Sequence, residues 1–141
     1  MRFLLLFVGV TLWGNTLDTA ILSTDALVVS MAVTGNVSPQ TRAILTPVIS
    51  HLVSVAQLVS MELSSKDSQE LKLQRIKLWL EPTLARLADM PRTTKSITEP
   101  TLRDWQQYLN APLVTGNLKK TKVLIDNLQI HSTNMTSMHY R

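Results

Sequence analysis

The chain has 141 residues, enough for one domain, and 45% of them are hydrophobic while only 17% are charged, a balance that excludes a disordered chain. It contains no cysteine, which excludes disulfides, zinc–thiolate sites and a thiol nucleophile. The net charge of +4 is unevenly spread: residues 17–64 carry a net of −2, and residues 65–141 carry twelve Lys/Arg against seven Asp/Glu. Those basic residues alternate with acids, the pattern of a solvated helical surface, so nucleic acid is not the expected partner.

Arg2 precedes an apolar run over residues 3–12, the layout of a secretory signal peptide. Residues 1–16 are read as that signal, with cleavage between 14 and 26. A cut after Thr16 is tolerable, one after Ala20 puts Asp18 at the third-last position, and one after Ala26 has small residues but lies far from the apolar run. The rivals are an uncleaved anchor and an ordinary buried helix. Ten residues are short of the roughly 20 needed to span a bilayer. The expected location is therefore extracellular, or periplasmic in a bacterium.

The first helix is expected over residues 17–34, ended by Gly35 and Asn36, although Val28 and Val29 leave a strand open. In the second, Ser38 suits the N-cap and Pro39 the first helical position. Residues 43–61 carry no formal charge if His51 is neutral, which is marginally compatible with a membrane span. Thr46, Ser50, Ser54, Gln57 and Ser60 nevertheless recur along one side. A central core helix is the preferred reading, a membrane-associated helix the alternative.

A third helix over residues 68–89 has Asp67 and Glu70 as a capping-box start and the stripe Leu71, Ile76, Leu80, Leu84 and Leu87. Lys72, Arg75, Lys77 and Glu81 fall on its outer side. Pro82 is expected to kink or divide it. Residues 91–99 lack apolar periodicity and read as a loop. Thr101 and Asp104 then suit a capping box for a short helix to Leu109, with Leu102 and Trp105 inward. Asn117 caps a last helix over residues 118–131, with Leu118, Leu124, Ile125 and Leu128 inward and Lys119, Lys120 and Lys122 outward. Its apolar run 123–130 is compatible with a strand as well. Residues 132–141 read as a flexible polar tail.

The expected fold is all-α: a small helical bundle or irregular helical domain of four to five helices, spanning residues 17–131 after the signal peptide. No phosphate loop, nucleophile elbow or metalloprotease motif occurs, and His51, His131 and His139 lack ligand-like spacing. No cofactor, metal or catalytic residue is expected. Glu62 and Glu81 read as solvated. Two sequons, Asn36-Val37-Ser38 and Asn134-Met135-Thr136, fall in expected loops. Pro39 disfavours the first, leaving Asn134 as the better glycan acceptor. Trp79 and Trp105 lie in apolar stripes that favour core burial; if exposed they are contact candidates. These features suit a secreted, non-enzymatic helical binding protein for a protein partner or an apolar ligand. The alternative is a membrane-associated protein held by residues 3–12 or 43–61. Oligomeric state is not legible.

Overall fold

The computed structural model describes residues 16–33, 37–114 and 116–139. Within them lie five helices: α1 Thr16–Ala32, α2 Pro39–Ser64, α3 Gln69–Ala88, α4 Arg92–Leu109 and α5 Leu118–His139. No strand occurs among the described residues. Both segments with strand-compatible composition are helical, because packing of a 3.6-period face outweighs β-propensity. In α1 the buried positions Leu17, Ala20, Ile21, Thr24, Leu27, Val28 and Met31 repeat at intervals of three and four.

Helix α2 begins as its sequence indicates. The Ser38 side chain accepts from Thr41 N at 3.2 Å, and Pro39 opens the first turn. Leu45, Val48, Ile49, Leu52, Val55, Ala56, Val59 and Leu63 build its buried face. Helix α3 is capped by Ser68, which accepts from Leu71 N at 3.2 Å, and not by Asp67. Asp67 instead binds the Arg75 guanidinium.

Pro82 does not divide α3, and Pro47 and Pro100 likewise sit inside α2 and α4. All three prolines are exposed. The carbonyl that each leaves without an amide partner lies on the solvent side, where water can bond it.

The largest departure from expectation is α4. Residues 91–99, expected as a loop, form its first half, and Thr101 and Asp104 lie in mid-helix without any cap. Pro91 precedes the first turn. The inward face is built by Thr94, Thr98, Thr101, Trp105 and Tyr108, all buried. A hydropathy pattern cannot register this face because its first three positions are threonines. Thr94 and Thr98 bond their hydroxyls to carbonyls of the preceding turn, Pro91 O at 2.8 Å and Thr94 O at 3.3 Å, leaving their methyl groups for packing.

Helix α5 starts where Asn117 Oδ1 accepts from Lys119 N and Lys120 N at 3.0 and 3.3 Å. It passes the expected end at His131 and continues to His139, with Met135 fully buried in the stretch expected as a tail.

Side-chain pairs set the helix directions. Glu62 meets Arg75 and Leu63 meets Lys72, so α2 and α3 are antiparallel. Ser23 meets Thr101 and Asp104 while Thr16 lies beside Gln107, so α1 and α4 are antiparallel. Asp18 meets Thr121 and Asp25 meets His131, so α1 and α5 run parallel. The helices pack in a ring, α1–α5–α2–α3–α4 and back to α1, with α1 also touching α2. One continuous apolar core fills the interior. The described residues form a five-helix bundle, and the chain has no cysteine.

Candidate functional site

The polar chemistry of the bundle gathers on α1. The helix carries only two charges, Asp18 and Asp25, seven residues apart and therefore on one face. Asp18 is buried, and its Oδ1 accepts a 2.6 Å bond from Thr121 Oγ1. Its Oδ2 has no hydrogen-bond partner among the described residues. Asp18 lies in the first turn of α1 and Thr121 in the first turn of α5, so two parallel helix N-termini flank one buried carboxylate.

Two turns along, Asp25 Oδ1 lies 2.6 Å from His131 Nδ1. The His131 side chain is 39% exposed, and its other ring nitrogen bonds no described residue. This pair clasps α1 to α5. Among the described residues no hydroxyl bonds the free ring nitrogen to extend the pair toward a nucleophile triad.

On its opposite side α1 meets α4. Trp105 Nε1 donates to Thr24 Oγ1 at 2.7 Å, and Thr24 Oγ1 donates to Ala20 O at 2.8 Å. Thr101 Oγ1 donates to Ser23 O at 3.2 Å, and Ser23 Oγ donates to Asp104. Tyr108 packs edge-on against Trp105, with centroids 5.9 Å apart and planes at 85°. Its hydroxyl donates to Pro112 O at 2.8 Å, and burial raises the phenol pKa.

Beside this seam, Ser23, Ala26, Leu27, Ser30, Ile97, Pro100 and Thr101 line a shallow cleft of 210 Å³. Its lining is uncharged. The outer side of α1 continues it as Leu22, Ala26, Val29 and Val33, all exposed. A second face without Asp, Glu, Lys or Arg runs along α2 through Ile44, Pro47, His51, Ser54, Leu58 and Met61.

The residues singled out in the sequence fall in different places. Trp105 is fully buried, so in this fold its ring offers no surface to a partner. Trp79 is half-buried against the core. Asn134 is exposed on α5, in a helix and not the expected loop. Asn36 lies outside the described residues. His51 is exposed on α2, far from a ligand set, and among the described residues no three His, Asp or Glu side chains gather as a metal site.

Two charged side chains lie deeper than expected. Glu62 is buried and binds Arg75 at 3.1 Å, while Glu81 is exposed. Lys72 is buried on the inner face of α3, its Nζ donating to Leu63 O at 3.4 Å. The hydrogen bonds it donates to Asp67 and then to Glu62 raise the Arg75 pKa. The periodicity of α3 places Lys72 in line with Ile76 and Leu80, a signal that was present but outweighed by the charge.

Comparisons with protein-family models, curated proteins and solved structures find no match.

Proposed function

We propose that this chain is an exported, non-enzymatic helical binding protein whose partner is a protein surface or an apolar ligand. The observation that carries the reading is the uncharged cleft between α1 and α4 with its apolar continuation over Leu22, Val29 and Val33. Clustered apolar surface on a small folded domain is a recurring mark of interaction sites.

The export part of the reading rests on Arg2 and the apolar run 3–12. The core bears on where processing occurs. A cut after Ala26 removes Asp18, Ile21 and Thr24, and a cut after Ala20 removes Asp18 and the Ala20 carbonyl that binds Thr24. A cut after Thr16 leaves these bonds in place and is the one we favour.

The test is intact mass and N-terminal sequencing of protein from expressing cells and their medium, followed by native mass spectrometry. A soluble chain beginning at Leu17 with a bound molecule, lost on Ala26→Lys, supports the reading. A processed chain that holds no ligand and captures no partner argues against the binding part.

A second reading, membrane association, draws on α2. It is the described helix long and apolar enough to cross a membrane, and its outward face carries no charge. Half of its most apolar stretch is covered by other helices, the arrangement of a core helix, so this reading centres on residues 3–12 as the anchor. Full-length chain retained in the membrane fraction favours it over export.

A further inference from the structure

We propose that the end of the bundle where α1 and α5 both begin is a docking surface for an anionic lipid membrane, with Lys119, Lys120 and Lys122 as its contacts. The proposal rests on the membrane-associated reading and specifies the lipid chemistry that the folded domain recognises.

Three observations converge on this end. First, Lys119, Lys120 and Lys122 are all exposed, and none forms an ion pair among the described residues. Asp126, one turn beyond Lys122, leaves it unpaired. Asp18 is engaged with Thr121, and Glu62 and Asp67 with Arg75, while Glu70 and Asp126 are exposed acids that pair with none of the three lysines among the described residues. Second, Lys119 and Lys120 occupy the first turn of α5, which contains no acidic residue, and Lys122 follows directly after it. A helix N-terminus is the positive end of the macrodipole, so cations there are disfavoured by the fold itself. Residues placed against a local rule with no gain within the fold point to an external partner.

Third, the chain reaches this same end from the apolar run. The 2.6 Å Asp18–Thr121 bond fixes the start of α1 against the start of α5. Four residue steps separate Leu12 from Thr16, so α1 begins within roughly 14 Å of the apolar segment's end. A bilayer holding residues 3–12 would therefore face the lysine-bearing end. Long lysine side chains cover much of that gap, bringing their charges within about a Debye length of the headgroups. The favoured partner is a lipid surface over nucleic acid because the apolar run leads into the basic end.

The experiment is sedimentation of the full-length chain with two vesicle types, phosphatidylcholine alone and phosphatidylcholine with about one-third phosphatidylserine. The lysine variant is K119Q/K120Q/K122Q. The charge-matched control is R86Q/R92Q/K95Q, which alters the opposite end. The wild type is expected to bind the anionic vesicles more tightly than the neutral ones. The lysine variant should lose that increment by about 100-fold, taking each lysine as worth about 1 kcal/mol, while the control loses little. Anionic-selective binding without any binding to neutral vesicles also supports the lysine surface, while removing the apolar-anchor reading. The proposal is overturned if both variants retain the increment, if the control loses as much, or if lysine-dependent binding appears only toward RNA or an acidic protein.

Discussion

The indole of Trp105 on α4 and the hydroxyl of Thr24 on α1 form a buried hydrogen bond of 2.7 Å across 81 positions of sequence. Thr24 passes its own proton to Ala20 O at 2.8 Å, so the chain of donors ends on the backbone of α1. Both side chains are fully buried, and no water competes for either. The bond fixes the register of α4 against α1 and thereby the shape of the cleft beside Ser23 and Thr101.

Thr24→Val keeps the side-chain shape but leaves the Trp105 N–H buried without an acceptor. The expected loss is about 1–3 kcal/mol, since an unmade buried bond costs the full desolvation of its donor. Urea unfolding followed by far-UV circular dichroism reads this directly. A loss under about 0.5 kcal/mol would show that the indole finds another acceptor and that the bond does not set the helix register.

Thr121→Val removes the donor to Asp18 and leaves its buried carboxylate without that hydrogen bond. A destabilisation of about 1–3 kcal/mol is expected. Asp18→Asn should cost less, because it retains an acceptor for Thr121 and removes the buried charge. Equal losses in the two variants would mean that the charge contributes nothing to the cost.

Tyr108 predicts a response to alkaline pH. Burial raises its pKa above the ordinary 10.0, so the folded phenol keeps its proton where the unfolded one has lost it. Above pH 10 the unfolded state binds fewer protons, and stability falls as pH rises. The contribution is fully present below that pH and declines above it by at most about 1.4 kcal/mol per pH unit. Tyr108→Phe should be less stable at neutral pH, through loss of the bond to Pro112 O, yet show a shallower alkaline decline. Parallel profiles for the two proteins between pH 9 and 11 would remove Tyr108 as the source.

Limited trypsin digestion tests the first half of α4. Arg92 and Lys95 lie in its opening turns, whereas Lys66 lies in the link between α2 and α3. If α4 is packed as described, cleavage at Lys66 precedes cleavage at Lys95. First cleavage at Lys95 would restore the loop reading for residues 91–99.

Much of the local structure was legible from residue type. Ser38 with Pro39 and Asn117 announced two helix starts, because capping depends on side chains within three residues of the backbone amides they serve. Most of the inward faces of α2 and α3 followed from apolar spacing, whereas α1, apolar nearly all round, gave no such face and leaves Leu22, Val29 and Val33 exposed. Asp18 and Asp25 also carried a readable signal, two carboxylates on one face of an otherwise uncharged helix, but their partners are 103 and 106 positions away. No local rule names Thr121 or His131.

The sequence by itself determined that this protein is helical, cysteine-free and basic toward its C-terminal part, because propensity, capping and charge are properties of neighbouring residues. Tertiary structure alone decided that residues 91–99 are helix. Thr94, Thr98 and Thr101 become a core face only when α1 and α3 cover their methyl groups, with the Thr94 and Thr98 hydroxyls donating to the preceding turn and the Thr101 hydroxyl to Ser23 O of α1. Tertiary structure likewise decided that Glu62 and Lys72 are buried, since each depends on a partner supplied by another helix: the Arg75 guanidinium and the Leu63 carbonyl. Burial of a polar group is a property of its partner as much as of the group, and the partner is chosen by how the helices pack.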